Sequence, residues 1–180
     1  VDPLWLSPAA VGVGWYVVSA RRLARRGDAW PVLRVASWVA GCVVLVYATS
    51  GGPGVYGRVL FSAHMLEHMT VSMVVPPLLV LGAPITLALR TSTPRRDGTR
   101  GWREWLMAVV HSRALKVLGH PLVAATIFMA SLIVFYYSPL FERALRTHTG
   151  HVLMNLHFLL AGYLFSSVLI GVDPGVRHPP

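Results

Sequence analysis

Five long apolar stretches follow one another in this chain of 180 residues, and they constrain its fold more than any other feature. A membrane core about 30 Å thick is crossed by about 20 apolar residues in an α-helix. Backbone inside lipid must satisfy its own hydrogen bonds, and a helix does so within one segment. We therefore predict an all-α, polytopic transmembrane bundle of about five spans. The stretches cover residues 4–20, 32–49, 59–89, 121–137 and 150–171.

The third stretch is too long for one straight span. Pro76, Pro77 and Pro84 fall inside it, together with Gly82. Proline lacks a backbone N–H, and its ring clashes with the preceding turn, so it kinks or breaks a helix. We expect the third helix to be kinked or broken at these residues.

Few residues of the chain are charged, and they are unevenly distributed along it. Charged residues make up 13% of the chain and hydrophobic residues 54%, a balance that indicates lipid as the solvent. The net charge of +9 is gathered between apolar stretches, which is the pattern of cytoplasmic loops and requires no nucleic-acid partner. The two basic blocks are Arg21, Arg22, Arg25, Arg26 and Arg34, and then Arg90, Arg95, Arg96, Arg100, Arg103, Arg113 and Lys116.

This asymmetry predicts an orientation in the membrane. The loops near residues 21–31 and 90–119 face the cytoplasm, and the amino end and the loops near residues 51–58 and 138–149 face outward. The outer loops carry only Arg58, Arg143 and Arg146. We expect residues 1–180 to form a single membrane domain that is part of a longer multi-pass protein.

Histidine and methionine recur at helical spacing on two of the apolar stretches. His64 and His68 share one stripe of the third helix, with Met65 and Met69 on the stripe beside it. The fifth stretch carries further candidates at a similar depth, so the two helices are expected to converge. These are His151, Met154, Asn155 and His157.

Imidazole with thioether is the ligand mixture that favours monovalent copper, Cu(I). Intramembrane histidine is costly, and is a functional candidate by default, whereas methionine also serves as a packing residue. Glu67 and Asn155 are expected beside the ligands, where Glu67 orients a histidine, carries a proton or pairs with an arginine. Cys42 is the only cysteine, which excludes a site built from several thiolates.

Other interpretations use the same residues. A haem b electron carrier would take one histidine from each helix as axial ligands, and a scaffold would use the histidines only for helix contacts. The run His64-x-x-Glu67-His68 also fits an inverted zinc-protease pattern, but no third protease ligand is apparent. His148 lies at the outer edge, where it is either a ligand on the way in or a solvated side chain.

Several motifs together resemble the CtaG-like cytochrome c oxidase assembly factor family, the membrane type found in bacteria and in actinobacterial fusions with a CopD-like copper domain. They are His64-Met65-x-x-His68-Met69, Pro76-Pro77-Leu78-Leu79-Val80-Leu81-Gly82-Ala83-Pro84, His151-x-x-Met154-x-x-His157-Phe158 and Gly171-Val172-Asp173-Pro174.

The resemblance covers about residues 30–174. It implies a non-enzymatic protein of the bacterial cell membrane that helps to assemble haem-copper oxidase subunits by holding or delivering copper on the outer side. It assigns the ligand role to His64, His68, His151 and His157, with Met65, Met69 and Met154 as possible thioether ligands. Family members usually continue with about two more spans after the Asp-Pro turn.

Overall fold

The computed structural model describes residues 2–57, 59–92 and 101–173, and for Leu140 and Leu145 it describes only the backbone. Every regular element in these residues is a helix, which confirms the all-α prediction. The expectations on Arg58, Arg95, Arg96, Arg100 and Pro174 lie outside these residues. The helices are α1 (Pro3–Arg25), α2 (Val32–Ser50), α3 (Gly52–Tyr56), α4 (Phe61–Met69), α5 (Val75–Leu81), α6 (Pro84–Thr91), α7 (Trp102–Val110), α8 (Arg113–Leu118), α9 (Pro121–Tyr136), α10 (Pro139–Arg146) and α11 (His148–Ile170).

Three helical stretches among the described residues are long and apolar enough to cross a membrane: Val32–Tyr56, Phe61–Thr91 and His148–Ile170. Of the other two predicted spans, α9 is apolar but has only 16 residues, and α1 has arginines in its last turn. Large apolar side chains such as Val43 and Leu169 are exposed along these helices, as lipid contact requires. Membrane character is thus supported, and the count of five spans stays a prediction.

The third predicted helix is interrupted twice, as its prolines predict. Between α4 and α5 the residues Thr70–Val74 form a π-helical turn, in which the Val75 N–H bonds to the carbonyl of Thr70, five residues earlier. Pro76 and Pro77 follow at once and cannot donate to the carbonyls of this turn. The second interruption lies between α5 and α6, where Ala83 has a left-handed φ of 49°.

Distant side chains hold the second interruption in place. The carboxylate of Asp173 accepts hydrogen bonds from the N–H of Thr86 at 2.8 Å, from its hydroxyl at 2.6 Å and from the N–H of Ile85 at 3.3 Å. The hydroxyl of Tyr16 donates to the carbonyl of Gly82 at 2.5 Å. Because Asp173 follows α11 and Tyr16 lies on α1, the break joins three parts of the chain.

The segment from the π-turn through α5 lies at the centre of the bundle and contacts both α2 and α11. A Cβ on Gly41 of α2 would meet the Leu79 side chain at 2.8 Å, and one on Gly162 of α11 would overlap the carbonyl oxygen of Ser72. Small residues at contacts between membrane helices let their backbones approach closely. These glycines therefore set how closely α5 and the π-turn pack against their neighbours.

Different helix ends meet at the two ends of the bundle. At one end Arg26, which follows α1, donates to the carbonyl of Thr91 at the end of α6 at 3.4 Å. At the other end the N–H of Asp2, before α1, donates to the hydroxyl of Ser50 at the end of α2 at 3.1 Å. α4 and α11 both begin at this second end, so their first turns lie far from the basic residues of α1.

Candidate metal centre

One face of α4 carries three buried polar side chains. His64, Glu67 and His68 follow the spacing of three and four residues that aligns side chains on a helix, and each is 3% exposed or less. The Nε2 atoms of His64 and His68 lie 2.9 Å apart, which is a hydrogen-bond distance. A polar cluster has thus been built inside an otherwise apolar helix.

α11 completes this cluster from the opposite side. The ring of His151 lies 5.4 Å from that of His64 and 5.6 Å from that of His68, measured between ring centroids. One ring nitrogen from each of the three histidines can be chosen so that all lie within 4.8 Å of one another. The predicted convergence of the two helices is therefore observed for these three histidines.

The side chain of Glu67 connects α4 to α11 beside the histidines. Its Oε1 accepts a hydrogen bond from the Asn155 side-chain amide at 2.7 Å, and its Oε2 lies 3.8 Å from the Nε2 of His151. Asn155 and Glu67 are both buried. A carboxylate beside a histidine is the arrangement that commonly orients a metal-binding imidazole.

Aromatic side chains close the cluster on its other sides. The ring of Phe141 lies 5.8 Å from that of His64, and the ring of Phe158 lies 5.5 Å from that of His68. Phe158 is also buried against Tyr136. These apolar rings lower the local dielectric constant beside the histidines, which strengthens electrostatic interactions inside the site.

The π-turn starts directly after the cluster. The hydroxyl of Ser72, inside this turn, donates to the carbonyl of His68 at 2.7 Å. Single π-turns inside α-helices are frequent at functional sites. Here the turn and the prolines that follow it determine where α4 ends, and hence the position of His68 relative to α11.

The remaining predicted site residues lie elsewhere. His157 is exposed and stacks on Phe135, with 6.2 Å between ring centroids, so the structure does not bring it to the other histidines. Met154 is buried in a core cluster with Phe158, Met69 is 37% exposed and Met65 is partly buried. The ligand roles of these residues stay predictions.

The three histidines fit a small metal ion by their chemistry. Neutral imidazole offers one lone pair per ring and is a common ligand of copper, zinc and iron. Two nitrogens bound at about 2.0 Å to one tetrahedral ion lie about 3.3 Å apart, slightly more than the 2.9 Å between His64 and His68. A small separation of these two rings would accommodate an ion in place of their shared hydrogen.

A cavity of about 870 Å³ reaches the cluster from the end of the bundle where α4 and α11 begin. Its lining includes His64, Glu67 and His151 at the inner side, and Asp2 and His148 at the helix ends. His148 Nε2 lies 3.1 Å from the Asp2 carboxylate. The sequence analysis did not predict this contact, because a histidine and a carboxylate that are distant in sequence show no local pattern.

Comparisons with known proteins extend over nearly the whole chain. Residues 14–180 match the family model of the cytochrome c oxidase caa3 assembly factor. The chain is 46% identical over 171 residues to an uncharacterized protein of Mycobacterium leprae and 47% identical over 166 residues to one of Mycobacterium bovis. These matches cover 94% and 92% of this chain but only 26% and 25% of those relatives, so the chain spans about a quarter of their length. No solved structure matches.

Proposed function

Because this chain belongs to the caa3 cytochrome c oxidase assembly factor family, as its motifs indicated, we propose that it binds Cu(I) on His64, His68 and His151 and delivers it to a haem-copper oxidase subunit. The observation that carries this proposal is the convergence of three histidine nitrogens within 4.8 Å inside an apolar bundle. The copper ion is cargo in this proposal, and the oxidase subunit is its acceptor.

The ligand set is compatible with copper. Imidazole binds copper as well as zinc and iron, and the family's role in assembling an oxidase that contains copper favours copper among these ions. Glu67 lies beside His151 and supplies a negative charge close to the ion, while Asn155 holds Glu67 in place. Met154 follows His151 by one helical turn and is buried with Phe158, whose ring lies 5.5 Å from that of His68, so it is the additional ligand that we propose to test first.

The close packing of the three rings favours a small ion over haem. A haem with two axial histidines needs its ligands on opposite faces of a wide, flat macrocycle. Here His64, His68 and His151 are within 5.6 Å of one another between ring centroids, which leaves no room for a macrocycle between them.

The copper proposal predicts stoichiometric binding that depends on the cluster. Purified protein in detergent, loaded with Cu(I) under reducing conditions, should hold about one copper per chain, and His64→Ala/His68→Ala should hold less than about a tenth of that, because the loss of two of three ligands removes the site. Copper per chain is measured by atomic absorption after gel filtration. His111→Ala is the matched control and should retain full binding, since His111 is exposed and outside the cluster.

Three outcomes would contradict this proposal in different ways. A Soret band from bound haem in the purified protein would favour the electron-carrier alternative. Wild-type protein that binds no copper would contradict a copper site. Full assembly of active oxidase in cells that carry His64→Ala/His68→Ala/His151→Ala would favour a scaffold without metal.

We also propose that the end of the bundle with the histidines faces outward. The arginines at the ends of α1 and α6 lie at the opposite end, and positive charge is retained in the cytoplasm. A reporter that is active only outside the cytoplasm should therefore be inactive when inserted at Gly101 and active when inserted at Thr147. The reverse pattern would place the histidine cluster at the cytoplasmic side.

A further inference from the structure

A second histidine–carboxylate pair lies in the same cavity as the cluster. The Nε2 of His148 is 3.1 Å from the Oδ2 of Asp2. Asp2 precedes α1, and its other oxygen caps this helix by accepting from the N–H of Leu4 at 3.0 Å. His148 is the first residue of α11. The pair therefore connects the starts of two helices at the mouth of the cavity.

The contact with Asp2 determines which nitrogen of His148 is available. When Nε2–H donates to the carboxylate, the neutral ring keeps its lone pair on Nδ1. Histidines that bind metals commonly donate their other ring N–H to a carboxylate in this way. The His148 side chain is 54% exposed and that of Asp2 is 18% exposed, so the imidazole remains accessible while its partner is largely covered.

The position of His148 also connects the mouth with the cluster. His148 precedes His151 by three residues on α11, which places the two rings on neighbouring positions of one helix face. Both line the same cavity, and His64 and Glu67 line it as well. Because His64 and His68 are 3% and 1% exposed, an ion needs a polar path to reach them.

We propose that His148 is a transient Cu(I) ligand at the mouth of this cavity, oriented by Asp2, through which copper enters and leaves the His64, His68 and His151 cluster. This inference rests on the proposed copper function and extends it to the path of the ion. A single accessible imidazole binds more weakly than three converging ones. His148 therefore affects the rate at which copper is exchanged, whereas the equilibrium affinity for copper depends on the three histidines of the cluster.

Rates and affinity measured separately test this proposal. His148→Ala should slow both loading with Cu(I) and release to a soluble chelator by about tenfold, which corresponds to about 1.4 kcal/mol in the barrier of exchange, while the copper per chain and the dissociation constant stay unchanged. Stopped-flow absorbance of a coloured Cu(I)–chelator complex measures both rates. His111→Ala, which removes an exposed histidine that does not line the cavity, should exchange at the wild-type rate.

A plug in the cavity tests the path without removing a ligand. Val55 lines the cavity and is 59% exposed, so Val55→Trp should fold and also slow exchange. Val59 is 84% exposed and is not part of the lining, which makes Val59→Trp the matched control. Wild-type rates in both His148→Ala and Val55→Trp, with copper bound at full stoichiometry, would overturn the proposed path and leave the cluster intact. Wild-type protein that binds no copper would overturn both.

Discussion

Replacement of Gly162 by alanine should destabilise the protein by about 3 kcal/mol, the upper part of the usual range for overpacking. A Cβ at this position of α11 would overlap the backbone carbonyl of Ser72 and meet the ring of Pro76 at 2.9 Å. Neither a backbone carbonyl nor a proline ring can rotate away. For a chain of this size the loss corresponds to a melting temperature lower by about 6–12 °C, measured by heating in detergent followed by size-exclusion chromatography.

The same substitution should also reduce copper binding, because the displaced backbone belongs to the π-turn that follows His68. Ser72 bonds to the carbonyl of His68, so a shift of α11 away from the turn separates His68 from His151. Gly14→Ala is the matched control. A Cβ on Gly14, in the middle of α1, would meet no atom within 4 Å, and helix propensity then favours alanine by up to about 1 kcal/mol. Equal melting temperatures for both variants would show that the close contact of α11 with the turn is absent.

Local patterns in the sequence were sufficient to predict the part of the candidate site that lies on α4. The spacing of His64, Glu67 and His68 places them on one face whatever the rest of the fold does, and a buried polar face needs a partner helix. The prolines at 76 and 77 likewise predict an interruption, since a missing N–H is a property of the residue itself. The interruption of the third helix and the alignment of the three polar side chains follow from these local rules, whereas a π-turn at Thr70–Val74 was not predicted.

The position of His157 relative to the other histidines could not be predicted from the sequence pattern. His157 lies six residues after His151, a rotation of about 240° around the helix, so the two rings point to different sides of α11. The family motif contains both histidines and gave no reason to separate them. The structure places His157 against Phe135 and away from the cluster.

Contacts between distant residues could not be predicted from local patterns. Asp2 approaches His148 across most of the chain, and Asp173 approaches Thr86 across 87 residues. A carboxylate near a turn is usually solvated or caps the nearest helix, and nothing in its neighbours indicates a remote partner. Such contacts follow from the way that the ends of α1, α6 and α11 meet, which depends on the packing of the whole bundle.

Removal of the Asp173 carboxylate should have the second large effect on stability. Asp173→Ala should lower the free energy of unfolding by about 3 kcal/mol, since hydrogen bonds to charged groups contribute about 1.5–3 kcal/mol and buried donors are left without an acceptor. The donors are the N–H groups of Ile85 and Thr86 and the Thr86 hydroxyl, at the start of α6. Thermal denaturation in detergent measures the loss.

Asp28→Asn distinguishes this effect from a general loss of negative charge at the same end. Asp28 lies 3.7 Å from Arg90, and both side chains are more than 40% exposed, so this pair should contribute less than about 1 kcal/mol. Asp173→Asn should fall between the two variants, because the amide oxygen can still accept one hydrogen bond while the second oxygen and the charge are lost. If Asp173→Ala melted at the temperature of Asp28→Asn, the carboxylate would not be what holds α6 to the end of α11. Melting temperatures that rise from Asp173→Ala through Asp173→Asn to wild type would instead assign Asp173 a structural role, separate from the histidine cluster at the other end of the bundle.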